Sequence, residues 1–226
     1  MKKIEVLAPA GSMESLFAAI NKGADAVYLG GNKFSARAYA SNFDNDNMLK
    51  AVDYAHSYGV NIYVTLNTIL KENEIEEAVK YVGYLYEIGV DALIIQDLGL
   101  FKRIKEEYPD FELHASTQMT VHNGEGAFYF KNKGFHRIVL SRELSLEEIK
   151  HISKDLLIET EMFVHGALCI SYSGQCLMSS IIGGRSGNRG RCAQPCRMEY
   201  ILRGEKSGDK KGYLLSPKDM CTIENV

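Results

Sequence analysis

The amino-acid sequence predicts an α/β fold of the (β/α)8 barrel type. Four segments share one pattern, in which a glycine suited to the end of a helix precedes a short apolar run that stops at polar residues. These segments are residues 23–31, 59–67, 89–97 and 134–143. Apolar runs of this length are typical of parallel strands that are buried on both faces. Because amphipathic helical stretches lie between them, strand and helix alternate along the chain.

Seven strands and four helices can be placed in order by this pattern. The predicted strands cover residues 4–10, 25–30, 61–67, 91–97, 111–117, 137–143 and 158–166, and an eighth is expected at 212–217. The predicted helices cover residues 13–22, 47–58, 73–88 and 145–153, with Ser12 and Ser145 as N-caps of the first and the last. An open Rossmann-like sheet is the alternative fold, but no G-x-G-x-x-G motif follows the first strand.

We expect one TIM-barrel-like domain over residues 1–226. Within it, residues 166–200 form an insertion rich in cysteine, glycine and arginine, which we call the cysteine loop, and its glycines argue against regular helix or strand. The last residues are typical of a helix start, with Ser216 as cap and Pro217 at the first position. Because this final helix is short, we expect a truncated barrel, or the N-terminal portion of a longer chain.

Composition limits the class of protein. The net charge is −3, no apolar run is long enough to cross a bilayer, and the N-terminus lacks the apolar core of a signal peptide. We therefore expect a cytoplasmic protein with no membrane partner. In that compartment five cysteines indicate metal ligands or catalytic groups rather than disulfides. Five arginines between residues 185 and 203 form a local basic patch that can bind phosphates.

Polar residues at the ends of the predicted strands are candidates for chemistry, because barrel active sites lie at the carboxyl ends of strands. The candidate catalytic residues are His114, Gln118, Arg142, Glu143 and His165. A structural role, such as capping a helix or satisfying loop backbone, is the alternative. Arg142 and Glu143 form either a simple ion pair or a site in which the guanidinium holds an anionic substrate.

All five cysteines follow residue 168, at Cys169, Cys176, Cys192, Cys196 and Cys221, with the spacing C-x6-C-x15-C-x3-C-x24-C. Zinc ribbons favour two close cysteine pairs, and only Cys192 and Cys196 form one. Irregular spacing of four thiolates suits an iron–sulfur cluster. Zinc, or unrelated buried thiols, are the alternatives. A bound metal would also order a glycine-rich loop, because its binding free energy contributes to folding.

Several motifs together resemble the collagenase-like peptidases of family U32. They are residues 161–179, with the pattern E-M-F-V-H-G-A-L-C-x4-G-x-C-L-M-S, and residues 7–12, 114–118, 140–145, 184–197 and 214–221. The resemblance covers essentially the whole chain. The family name implies a protease, but the sequence contains no H-E-x-x-H and no G-x-S-x-G motif.

The resemblance also implies a second activity. Better understood relatives are oxygen-independent hydroxylation proteins with a 4Fe–4S cluster. They act on tRNA wobble uridine, on an rRNA cytidine or in ubiquinone synthesis, and prephenate is implicated as hydroxyl source. In one type of relative the ligands correspond to Cys169, Cys176, Cys192 and Cys221, with Cys196 left over. In others the pair Cys192 and Cys196 is used.

The sequence and the resemblance together favour an iron–sulfur-dependent RNA hydroxylase. Its partners would be tRNA or rRNA and a small organic acid such as prephenate as oxygen donor, in a homo- or hetero-oligomer. The residues expected to bind RNA are Arg185, Asn188, Arg189 and Arg191. A metal-dependent peptidase is one alternative. A non-catalytic iron–sulfur module that binds RNA or serves assembly is the other.

Overall fold

The computed structural model describes residues 4–36, 42–204 and 208–225. Seven parallel strands form one sheet in chain order: β1 (Leu7–Ala10), β2 (Ala26–Gly30), β3 (Asn61–Leu66), β4 (Ala92–Ile95), β5 (Glu112–Ala115), β6 (Arg137–Val139) and β7 (Thr160–Glu161). Each strand after β1 pairs with the strand that precedes it in the chain. The sheet is therefore built from successive β–α–β units, as in a barrel, and does not have a doubly wound strand order.

The helices connect these strands and cover the outer face of the sheet. They are α1 (Met13–Asn21), α2 (Asn45–Ser57), α3 (Ile75–Glu87), α4 (Leu98–Glu107), α5 (Gly124–Lys133) and α6 (Leu146–Lys150), which continues into a π-helical turn at His151–Asp155. Two predicted caps are confirmed: the Ser12 hydroxyl accepts a hydrogen bond from Ser15 N at 3.3 Å, and Ser145 forms a capping box with Glu148.

The sheet is curled into a half-barrel. β1 and β6 are five strands apart, and a flat sheet would separate them by about 24 Å. Yet Arg137 Nη1, on β6, lies 2.6 Å from the Oε1 atom of Glu5, which is two residues before the start of β1. The ion pair therefore spans the inside of the curl. The predicted α/β fold of TIM-barrel type is confirmed, with seven strands in the described part of the sheet.

Two apolar cores follow from the alternation of side chains along the strands. The outer core lies between sheet and helices and contains residues such as Val27, Val64 and Leu113. The inner core is smaller and includes Tyr63 and Ile94. The middle layer inside the half-barrel is thus apolar. It separates a group of charged side chains at the amino-terminal ends of the strands from the carboxyl ends of the strands.

That charged group couples β1, β3, β6 and β7. Tyr63 donates a hydrogen bond to Glu5 at 2.9 Å, and the Arg137 guanidinium lies over the Tyr63 ring. Burial raises the pKa of Tyr63 to about 12. Glu161 is partly exposed as a residue, but its Oε2 atom is buried. Burial raises the pKa of this carboxyl to about 7, with Arg137 opposing the shift and Glu5 adding to it.

Replacing Glu161 by glutamine is expected to increase stability at neutral and alkaline pH. The folded protein holds the Glu161 proton up to about pH 7, whereas an unperturbed carboxyl loses it near 4.5. The free energy of unfolding therefore falls as pH rises between these values, by about 3 kcal/mol, and Glu161→Gln removes this loss. Urea unfolding of both proteins at pH 5 and pH 8 measures this change in the free energy of unfolding. The control is Glu87→Gln at an exposed position, which should change the free energy of unfolding by the same amount at both pH values. If Glu161→Gln also changes it by the same amount at both, the raised pKa assigned to Glu161 is wrong.

The predicted eighth barrel strand at residues 212–217 is wrong. Instead, β10 (Lys210–Gly212) pairs antiparallel with β9 (Tyr200–Leu202), and a turn follows in which Ser216 N donates to Tyr213 O. A local hairpin closes with less loop entropy than a strand that must reach the sheet edge. The expectation of an incomplete barrel agrees with the seven-stranded sheet.

The predicted final helix from Ser216 is also wrong. β11 (Met220–Cys221) pairs antiparallel with β8 (His165–Gly166), and Arg197 donates to Ser216 Oγ and Pro217 O at 2.8 and 2.9 Å. These contacts hold the segment extended. The predicted seventh strand, residues 158–166, is thereby divided, because β7 belongs to the barrel sheet and β8 to this small ribbon.

Among the described residues, no helix combines the length and the apolarity that crossing a bilayer would require.

Candidate functional site

The cysteine loop lies across the mouth of the half-barrel, which is the end formed by the carboxyl termini of the sheet strands. After β5, Thr120 Oγ1 donates to Ser173 O at 2.8 Å. After β3, Ile69 N donates to Asn188 O at 3.1 Å. The loop is thus fixed to the mouth at two places, one after β3 and one after β5. The prediction that this loop contains no regular helix is wrong in part, because Met178–Gly183 forms a short helix, α7.

Two glycines allow the loop to approach the mouth closely. Gly174 has φ +75°, and a Cβ atom there would collide with the backbone carbonyl of Gln118 and lie 2.9 Å from Thr120 Oγ1. Gly190 has φ +72°, and its Cβ would collide with Ser35 O. Both positions therefore need glycine for conformation and for space.

Replacing Gly174 by alanine is expected to destabilise the loop by more than the backbone strain alone. Gly184 provides the matched control, because it has φ +64° and nothing lies within 4 Å of its Cβ position. Gly184→Ala should cost roughly 1–2 kcal/mol, and Gly174→Ala clearly more. Limited proteolysis of the loop and urea unfolding measure the difference. Equal costs for the two variants would show that the loop does not dock through Gly174.

Between the loop and the mouth lies a cavity of about 330 Å³. Its floor and walls come from β2, β3 and the connections after several strands, and its cover comes from the cysteine loop. Side chains from the barrel include Tyr28, Thr65, Asn67, Gln118 and Arg142. Thr65 Oγ1 lies 3.0 Å from Ser35 Oγ, and Asn67 Oδ1 accepts from Ala36 N at 2.8 Å, so the floor is held by hydrogen bonds.

Four of the five cysteines line this cavity: Cys169, Cys176, Cys192 and Cys196. Burial raises the pKa of the Cys196 thiol, and repulsion from Cys169, Cys192 and Cys176 raises it further against the opposing effect of Arg197, so these three thiols lie within electrostatic range of Cys196. Cys221 is exposed on β11 and is not among the lining residues. The structure thus places four of the five predicted ligands around one cavity.

The spacing of these thiols bears on the kind of metal centre. Among residues 4–36, 42–204 and 208–225, no three His, Cys, Asp or Glu side chains lie together as ligands of one ion would. A zinc ion holds four sulfurs at about 2.3 Å, which brings them within roughly 4 Å of each other. A 4Fe–4S cluster is held at four separate iron atoms. Four thiols that line one cavity are a donor set that a cluster of this kind uses.

Arg142 and Gln118 are predicted site residues that line the cavity. Arg142 Nη1 donates to Ala167 O at 3.0 Å and Nη2 donates to Cys169 Sγ at 3.6 Å. Gln118 lies beside them, and its backbone carbonyl accepts from Gln96 Nε2 at 3.4 Å. These two side chains stand where a molecule in the cavity would meet them.

Glu143 has a structural role in this arrangement. Its Oε1 atom accepts hydrogen bonds from Ser173 N at 2.5 Å and Ser173 Oγ at 3.1 Å, and its Oε2 atom lies 3.5 Å from His122 Nε2. The carboxylate therefore anchors the cysteine loop. The ion pair with Arg142, which was one of two alternatives, does not form among the described residues, and Glu143 is not a lining residue of the cavity.

Neither predicted histidine lines the cavity, and both predictions are corrected by strand geometry. His114 is fully buried in the charged group at the other end of the half-barrel, where Nε2 lies 2.9 Å from Glu112 Oε1 and the ring packs against Tyr63. Burial lowers the pKa of His114. His165 is exposed on β8 and pairs with Cys221 on β11.

The four predicted RNA-binding residues divide into three kinds. The Arg189 guanidinium is already paired within the protein, because its Nη2 atom lies 2.6 Å from Glu74 Oε1 and its Nη1 atom donates to Ile69 O at 2.8 Å. The Arg189 guanidinium also lowers the pKa of Glu74 to about 2. Asn188 lines the cavity. Arg185 and Arg191 are exposed, and neither forms an ion pair with a carboxylate of the described residues.

Sequence reasoning missed several lining residues. Tyr28 and Thr65 are interior positions of β2 and β3, Ser35 follows β2, and Phe163 follows β7. The first two could have been found from the alternation of side chains, since every second residue of a barrel strand faces inward. Ser35 and Phe163 lie in connections whose course the sequence pattern does not specify.

Comparison with known proteins identifies the family. The model of peptidase family U32 matches residues 11–226. A 23S rRNA 5-hydroxycytidine synthase from Escherichia coli is 45% identical over 99% of the chain and 34% of its own length. A tRNA hydroxylation protein from Bacillus subtilis is 36% identical over 100% of the chain and 55% of its own length. The chain therefore spans between a third and just over half of these relatives.

A solved structure supports the fold. A U32 peptidase superimposes with a TM-score of 0.63 at 18% identity, over 73% of this chain and 70% of the other. The match covers the architecture described above, and the family resemblance expected from the sequence motifs is confirmed. With the family model spanning nearly the whole sequence, the chain belongs to peptidase family U32.

Proposed function

We propose that this protein takes part in hydroxylating a base of tRNA or rRNA, with an iron–sulfur cluster held over the mouth of the half-barrel. The observation that carries the proposal is the convergence of Cys169, Cys176, Cys192 and Cys196 around one cavity that also contains polar side chains from the barrel. Relatives named as an rRNA 5-hydroxycytidine synthase and a tRNA hydroxylation protein support it.

The four cysteines that line the cavity would hold the cluster, with Cys196 rather than Cys221 as the fourth ligand. When bound, a 4Fe–4S cluster supplies electron transfer or polarises a molecule beside it. A cavity of about 330 Å³ is the size of site that takes a small ligand, so an organic acid such as prephenate or a single base is a suitable occupant. A nucleic-acid duplex, whose major groove alone is about 12 Å wide, does not fit into a cavity of this size.

The residues of the chain would bind and orient these partners. Asn67 and Gln118 place amide groups at the cavity wall, where hydrogen bonds to a base edge or to a small acid are available. Tyr28 and Phe163 place aromatic rings at the cavity wall, where a planar group can pack against them. Outside the cavity, Arg185 and Arg191 are free of ion pairs within the described chain and would contact RNA phosphates.

Mass spectrometry of nucleosides from a deletion strain tests the proposal. The deletion should remove one hydroxylated nucleoside from tRNA or rRNA, and the unchanged gene should restore it. A gene with Cys169→Ser should not restore it, whereas one with Cys221→Ser should. An unchanged set of nucleosides in the deletion strain would refute the proposal.

The family name favours a peptidase as the second candidate function. Purified protein would then cleave gelatin, and Cys176→Ser or a chelator would stop the cleavage. A non-catalytic iron–sulfur module is distinguished by RNA binding without any product when an organic acid is supplied.

A further inference from the structure

Arg142 makes a contact with a cysteine sulfur that an ordinary loop anchor does not require. Its Nη2 atom lies 3.6 Å from Cys169 Sγ, and Nη1 donates to Ala167 O at 3.0 Å in the same loop. The Phe163 ring packs 5.5 Å from the guanidinium carbon and supports its orientation. Within the described chain, this is the one side-chain cation that donates to a cysteine sulfur.

The charge of Arg142 is not balanced by a carboxylate of the described residues. The neighbouring Glu143 is the obvious ion-pair partner, but its two oxygens are directed to Ser173 and His122. Ser173 in turn accepts a hydrogen bond from Arg142 N at 3.4 Å. The backbone is thus held so that the two charged side chains separate, one anchoring the loop and the other directed at a sulfur.

A cation in that position acts on any negatively charged centre that the cysteines hold. Four thiolates around a 4Fe–4S core carry net negative charge, and adding an electron increases it. A charged hydrogen bond to a ligand sulfur stabilises the more negative state and therefore raises the reduction potential.

We propose that Arg142 is a positioning residue that sets the reduction potential of a cluster bound at Cys169, through its hydrogen bond to the Cys169 sulfur. This inference rests on the proposed function, because it requires the cluster. It assigns to Arg142 a role toward the metal centre rather than toward an anionic substrate. The same contact explains why Arg142 and Glu143, although adjacent, have different partners.

Anaerobic redox titration of the reconstituted protein, followed by electron paramagnetic resonance, tests the proposal. One electron from dithionite reduces the cluster and makes it paramagnetic, so the signal reports the midpoint potential. Arg142→Met removes the charge and the donor and is expected to lower that potential. Arg185→Gln removes a positive charge at an exposed position of the cysteine loop and is expected to leave it unchanged. Iron and sulfide contents are measured in parallel.

If Arg142→Met fails to retain the cluster, Arg142→Lys serves in its place. Lysine keeps the charge but cannot reach Ala167 O and the sulfur with a planar fork, so a smaller decrease is expected. Equal potentials in the unchanged protein and both Arg142 variants, at equal iron content, would overturn this inference alone. A shift in Arg185→Gln as large as that in Arg142→Met would overturn it as well. Failure of the unchanged protein to take up iron and sulfide would instead refute the proposed function, and this inference with it.

Discussion

Serine at Cys196 is expected to abolish the incorporation of iron and sulfide, whereas serine at Cys221 is expected to leave both at the level of the unchanged protein. Cys196 lines the cavity together with Cys169, Cys176 and Cys192, and Cys221 does not. A hydroxyl is a poor replacement for a thiolate ligand of iron, so loss of one of four ligands should remove most of the cluster. The measurement is iron and acid-labile sulfide per chain after anaerobic reconstitution.

The two variants form a matched pair, because each removes one sulfur and both leave the fold of the half-barrel untouched. Cys221 is exposed on β11, so its substitution should change the melting temperature little. Serine at Cys169, Cys176 or Cys192 should behave like serine at Cys196. Each should also lower the melting temperature of the reconstituted protein, since cluster binding stabilises the loop that carries the ligands.

The opposite result would identify another fourth ligand. If Cys221→Ser loses the cluster and Cys196→Ser retains it, the site follows the pattern that the family resemblance implies for one type of relative. The loop would then have to move to bring β11 toward the cavity. Zinc in place of iron and sulfide, in every preparation, would favour the single-ion alternative despite the wide cavity.

The fold was predictable because its determinants are local and repeated. The apolar run of β3, for example, is buried on both faces and follows a glycine at the end of α2, and the sequence displays both features. Ser12 and Ser145 were recognisable as caps because a cap depends on a side chain and on backbone within three residues.

What failed depends on contacts between distant segments. β11 pairs with β8 more than fifty residues earlier, and Arg197 holds Ser216 and Pro217 in an extended path, so the helix signals at Ser216 are overridden. No pattern within residues 212–226 reveals either contact. The predicted eighth strand failed for the same reason, since its first residue, Gly212, pairs with Tyr200 on β9.

The candidate site was predictable in its chemistry but not in its geometry. The sequence shows five clustered cysteines, yet the spacing does not reveal that Cys221 is outside the cavity. His114 closes an apolar strand and was therefore placed at the mouth. The structure puts it at the opposite end, in register with Arg137, because position along a barrel strand depends on the stagger of neighbouring strands.

Removing the exposed cations Arg185 and Arg191 together is expected to weaken RNA binding and to reduce its dependence on salt. Each phosphate contact with single-stranded RNA contributes about 0.7 to the slope of log K against log salt concentration. The double variant Arg185→Gln/Arg191→Gln should therefore reduce the slope by about 1.4. Binding of tRNA and rRNA purified from the deletion strain, measured at several salt concentrations, gives the slope.

The control must remove the same charge elsewhere. Lys210→Gln/Lys211→Gln does so on β10, in the hairpin with β9, where Lys211 forms an exposed ion pair with Glu199 at 2.8 Å, and this variant is expected to change the slope less. Arg189 is unsuitable for this purpose, because its ion pair with Glu74 and its bond to Ile69 O hold the cysteine loop. Its removal would combine a loss of charge with a loss of structure.

The comparison separates two ways in which RNA could reach the cavity. If Arg185 and Arg191 contact the phosphates, the backbone passes over the cysteine loop and a base can enter beside the four thiols. An unchanged slope in their double variant, with a reduced slope in the Lys210/Lys211 control, would place the RNA on the hairpin instead. The cavity would then be reached from the side of β9 and β10, and the phosphate-binding role of the loop arginines would be wrong.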